Sequence, residues 1–178
     1  MHHVFFPALA WIAFLARVWS RLRITRSWGL DDWFMVLAAL CSVLFTPFFY
    51  VYIKLGYFGW HQEDVPKDYD PSPGLFYFYI AQLFYNPILA LVKCSILVFI
   101  LHIGRTRKGL PWMVYSVLTL TVLHAVGFFF AVLLSCVPIK AIWTPGLKPS
   151  AECIDNSFHI IISGVTVMTD ILVLALPF

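Results

Sequence analysis

The stretch LFYFYIAQLFYNPILALVKCSILVFIL, residues 75–101, decides the fold. It is apolar on every side of a helix, carries one charge, Lys93, and exceeds the about 20 residues that an α-helix needs to cross the hydrocarbon core of a bilayer. Working outward, residues 33–53, 112–136 and 158–178 share this character, and residues 4–19 form a shorter version of it. Apart from Arg17 near the end of the first stretch, Lys93 and Asp170 are the only Asp, Glu, Lys or Arg residues inside these segments. A soluble core has no use for four or five helices that are apolar all round. The sequence therefore predicts an all-α, multi-pass transmembrane bundle of five spans, forming one domain over residues 1–178.

Composition agrees. Apolar residues make up 61 % of the chain, against roughly 45–50 % in soluble domains, and the mean hydropathy is +0.85. Many aromatic residues fall near predicted span ends, among them Trp11, Trp19, Trp28, Trp33, Tyr50, Tyr52, Trp112 and Trp143. That is the belt expected where amphipathic rings meet lipid headgroups. The net charge of +3 comes with basic residues concentrated in two short loops, so no nucleic-acid partner is expected; the partner that composition demands is the lipid bilayer. Residues 4–19 resemble a signal peptide in length. However, Met1-His2-His3 is a poor basic leader and the run continues into Arg17, Arg21 and Arg23, so the stretch reads as a first span.

The loop after span one, with Arg17 just before it, holds Arg21, Arg23 and Arg26; the loop after span three holds Arg105, Arg107 and Lys108. The second and fourth loops hold Lys54, Lys67, Lys140 and Lys148, and the second is acidic through Glu63, Asp64, Asp68 and Asp70. Seven basic residues against four place the first and third loops in the cytoplasm and the N-terminus outside. A plasma-membrane protein fits this orientation. Cys136 and Cys153 then share an outer, oxidising loop containing Pro138, Pro145, Gly146 and Pro149. A disulfide there would stabilise by about 3 kcal/mol in the chain-entropy model; two free thiols are the alternative. Cys41 and Cys94, inside spans, read as small packing residues.

Lys93 and Asp170 are the costly residues, and an intramembrane charge is by default a functional candidate. Each lies eight residues before the inner end of its span, at similar depth, some 12 Å from the boundary. They are expected to pair, directly or through a hydroxyl such as Thr169 or Ser95. Two readings stand: a pair that only fixes helix register, or a switch opened by a ligand or proton. Gln82, Tyr85 and Asn86 precede Pro87, whose missing N–H kinks the helix, as does Pro47 in span two. With His124 of span four they are candidate cavity-lining residues, with interhelical packing as the plainer reading.

Enzyme chemistry finds no centre. The six histidines are scattered, and the sequence has no His-Glu-x-x-His, no Gly-x-Ser-x-Gly, no P-loop and no Gly-rich dinucleotide turn. Asp31 and Asp32 stand at the start of span two, where helix capping accounts for them. Neither catalysis nor a metal or cofactor is expected.

Several segments together resemble the fungal rhodopsin-domain family of integral membrane proteins. They are Arg17-x-x-x-Arg21-x-Arg23-x-x-Arg26-x-Trp28-Gly29-Leu30-Asp31-Asp32-Trp33, Gly56-x-x-Gly59-x-His61, Lys93-Cys94-Ser95-Ile96-Leu97, Cys136-x-Pro138-Ile139-x-x-x-Trp143 with Cys153-Ile154-Asp155, and Thr169-Asp170-Ile171-Leu172-x-Leu174-x-Leu176-Pro177. The resemblance runs from about Ala16 to Phe178. It departs from the family in one extra residue before His61 and in His102-Ile103 where Arg-Ile is common. The resemblance implies seven helices, an outer N-terminus, the Cys136–Cys153 bridge and a receptor-like role. An extracellular cue and a cytoplasmic signalling partner come with that role. It also implies that this chain is a fragment, stopping before helices six and seven. The family name does not imply retinal. A small transporter or channel component gated by Lys93–Asp170, or a structural membrane subunit, is the alternative.

Overall fold

The computed structural model describes residues 2–25, 28–57, 59, 61, 66, 69–104, 109–146 and 151–176. Among them run α1 (His2–Ser20), a π-helical turn (Arg21–Thr25), α2 (Leu30–Leu55), α3 (Ser72–Gly104) and α4 (Leu110–Leu133). A pair of two-residue strands follows, β1 (Cys136–Val137) and β2 (Glu152–Cys153), with a 3-10 turn (Ile139–Ile142) between them, and α5 (Asn156–Ala175) closes the order. Among the described residues the protein is all-α apart from this small antiparallel bridge. Three helices, α2, α3 and α4, are long and apolar enough to cross a membrane, and a shorter apolar stretch, Ile160–Ala175, lies within α5.

Local chemistry sets the helix ends. Gly29 is extended before α2, and its N–H donates to Asp32 Oδ2 at 3.2 Å while Asp32 N–H donates back to Gly29 O. At α3, Asp70 Oδ1 accepts from the Ser72 N–H (2.9 Å) and the Ser72 hydroxyl (2.6 Å), ordering the chain just ahead of the first turn. The Ser72 hydroxyl and then its N–H hold the exposed Asp70 carboxyl below the usual carboxylate range. Gly109 precedes α4 at φ +98°, a left-handed conformation that suits glycine, and Pro111 fills the first turn, where a missing N–H does no harm. Pro7, Pro47 and Pro87 lie inside α1, α2 and α3, and each removes one helical hydrogen bond.

The bundle is built on α2 against α3 and α3 against α4. An aromatic layer joins α2 to α3: Phe48 stacks on Phe84 at 6.1 Å and Tyr52 meets Phe78 at 4.9 Å. At the same end Gly74 lets α3 approach the Gly56 backbone; a Cβ built on Gly74 would lie 3.4 Å from Gly56 Cα. At the opposite end Leu97, Val114 and Val173 form a core that joins α3, α4 and α5. Most other large apolar side chains point outward, as expected where lipid takes the place of a core.

Candidate functional site

Lys93 extends from α3 to α5, and all three of its ammonium donors find acceptors there. Nζ lies 3.0 Å from Asp170 Oδ1, 2.8 Å from Thr169 Oγ1 and 3.3 Å from the Thr166 carbonyl. The Lys93 side chain is 9 % exposed and that of Asp170 is 52 % exposed, so the ammonium is enclosed while the carboxylate sits on the flank of α5. The expected pairing is present, and Thr169, itself buried, joins it. Ser95 does not: its hydroxyl donates to the Asp31 carbonyl at 2.7 Å.

The candidate cavity-lining residues divide. Asn86 and His124 border a cavity of about 10 Å³ with Lys93, Thr121 and Thr166. Asn86 and Lys93 are seven positions apart and share a helix face. Tyr85 does not belong there: one residue off, it turns about 100° away and meets Phe45 at a ring distance of 6.3 Å. Gln82 is partly buried in α3 and borders none of the cavities described here. A separate, wholly apolar groove of about 490 Å³ opens between α2, α3 and α4, lined by Phe34, Pro87, Cys94, Val122 and Phe129 among others.

The second polar site is a helix cap at Asp32, as expected, but not at Asp31. Asp31 does not cap α2; it is the helix's second residue, and its carboxylate accepts from Arg17 at 2.9 Å and Arg21 at 2.6 Å. Asp32 is shared: Oδ2 holds the Gly29 N–H, and Oδ1 faces Arg17 at 3.4 Å and Arg21 at 3.3 Å. Both guanidiniums lie over the Phe99 ring of α3, 5.5 and 5.4 Å from its centroid. Arg17 and Arg21 are therefore not free loop charges. The helix runs on through the π-helical turn, so four-residue spacing points both at the acidic pair. Arg23 stays exposed over Trp19. The i,i+4 arginines were legible; the signal that could have placed them was the buried acidic pair fourteen residues on from Arg17. Arg26, Arg105, Arg107 and Lys108 lie outside the described residues, as do Glu63, Asp64, Lys67, Asp68, Lys148 and Pro149.

At the opposite end, Cys136 and Cys153 are disulfide-bonded, with Cα atoms 4.1 Å apart, and are directly paired in the β-bridge. The loop they close is not a loose cap. Ala141 is fully buried, and Trp143 leaves the interfacial belt to pack on Phe76 (5.2 Å) and Tyr79 (5.9 Å) of α3. Among the described residues, no cluster of His, Cys, Asp and Glu is grouped to hold a metal ion.

No curated protein and no solved structure shows a significant match to the chain. A family model does: the one described as the fungal rhodopsin domain matches residues 16–178, which include the arginine–aspartate clasp, the Lys93 segment, the disulfide loop and the Thr169-Asp170 pair of α5. The protein is an integral membrane protein, and it belongs to the fungal rhodopsin domain family.

Proposed function

We propose that the chain is a receptor-like membrane protein whose five helices all span the bilayer, with the N-terminus and the disulfide loop outside, in the plasma membrane. The observation that carries this reading is the Lys93–Asp170–Thr169 latch between α3 and α5. A charge pair at bilayer depth costs stability that an apolar pair would not, and a latch that a stimulus can open explains its presence. Support for the orientation comes from the ends: Arg17 and Arg21 lie at one, and the disulfide at the other. An extracellular cue would act through the braced outer loop packed on α3, and a cytoplasmic signalling partner would read the arginine end. Further helices would cover the flank of α5 that leaves Asp170 half exposed. Neither a cofactor nor catalysis enters this reading.

Spin labels at the arginine ends of α3 and α5, in wild type and Asp170→Asn, test the proposal in lipid nanodiscs. Opening the latch should lengthen or broaden the inter-label distance with helicity retained. Unchanged distances, together with ion flux in proteoliposomes that the substitution alters, would replace the receptor with a transporter or channel component.

A further inference from the structure

The imidazole of His124 projects from α4 toward α3 and α5. Nε2 of the ring is buried with no hydrogen-bond partner among the described residues. A neutral imidazole has one N–H and one acceptor nitrogen, and an unprotonated Nε2 in this position needs a donor.

The neighbouring donors are already committed. The ammonium protons of Lys93 go to Asp170, Thr169 and the Thr166 carbonyl. Thr121 Oγ1 donates to Val117 O at 2.8 Å, and Thr166 Oγ1 donates to Ile162 O at 3.0 Å. Both hydroxyls keep lone pairs but no protons. Among the side chains that border the cavity of about 10 Å³, the Asn86 amide is the remaining donor, since Lys93, Thr121 and Thr166 give their protons elsewhere. A buried water occupies roughly 10–15 Å³ on this measure and makes about three hydrogen bonds.

We propose that this cavity binds a single water molecule, which donates to His124 Nε2 and to a threonine hydroxyl oxygen and accepts from the Asn86 amide. The water ties α3 to α4 and α5 at the depth of the latch and holds His124 as the Nδ1–H tautomer. It satisfies the one buried side-chain atom that protein groups leave unpaired among the described residues. It does not depend on the receptor reading, since a transporter or structural subunit would need the same bond.

Solid-state NMR of the full chain in phosphatidylcholine bilayers tests the proposal without mutation. His124-Ala125 is the only His-Ala pair in the sequence, so carbonyl-labelled histidine with nitrogen-labelled alanine picks out this site. The expected result is an unprotonated Nε2 that gains signal from water protons in a water-edited experiment. In Asn86→Leu that transfer should be reduced or lost. A protonated Nε2 would overturn the proposal. So would an unprotonated Nε2 with no transfer from water, which would mean that the Asn86 amide donates directly.

Discussion

Removing Asp170 should cost more than removing Lys93 and Asp170 together. In Asp170→Leu the Lys93 ammonium keeps two neutral acceptors, Thr169 Oγ1 and the Thr166 carbonyl, but loses its counter-charge while only 9 % exposed. Breaking a buried ion pair from one side costs about 3–5 kcal/mol. Lys93→Met leaves the opposite problem in milder form. Asp170 sits on the flank of α5, so the cost of its charge at bilayer depth is about 2.5–3.5 kcal/mol or less. The double variant, Lys93→Met with Asp170→Leu, removes both charges and fills their volume with apolar atoms. It should recover most of either loss, so the coupling between the sites should be at least as large as the Asp170→Leu loss, about 3–5 kcal/mol. SDS-driven unfolding of the four proteins in mixed micelles, read by circular dichroism, closes the cycle. Additive losses would refute the reasoning, because side chains 3.0 Å apart cannot act independently if the charge pair is what each loss measures.

Asp31→Asn should destabilise by about 3–5 kcal/mol, since two guanidiniums converge on that carboxylate, while Asp32→Asn should cost less because an amide oxygen still holds the Gly29 N–H. Thermal unfolding in detergent ranks the two, and equal losses would contradict the geometry. Phe99→Leu should remove two cation–π contacts at about 0.5–1 kcal/mol each, a loss that should vanish when Arg17 and Arg21 are also replaced. Cys136→Ser should lower stability by about 2–4 kcal/mol, and reductant should bring wild type to the same level. Asp70 titrates below its unfolded-state value of about 3.9, so its contribution is present above that pH and fades as pH falls through the lowered pKa. Thermal scans between about pH 5 and 2 should show Ser72→Ala losing part of this acid dependence; unchanged profiles would show that the Ser72 bonds do not set it.

The helices and the depth of their charges were legible because a bilayer makes both questions local. A backbone in hydrocarbon must satisfy its own hydrogen bonds, so each long apolar run has to be helical. The 1.5 Å rise then puts Lys93 and Asp170 at one level by counting residues. The cysteines were legible for a similar reason, since one proline-rich loop holds both. What the tertiary structure decided was rotation and partnership. Helices apolar all round carry no marked buried face, so nothing in their composition says that Asn86 turns to α4 and α5 while Tyr85 turns to Phe45. Nor did it say that Thr169, rather than Ser95, completes the lysine's bonds, or that Asp31 meets two arginines of the preceding helix instead of its own amides. These choices depend on how neighbouring helices are turned about their axes. That turning is set by side chains meeting across the bundle, and no single segment contains it.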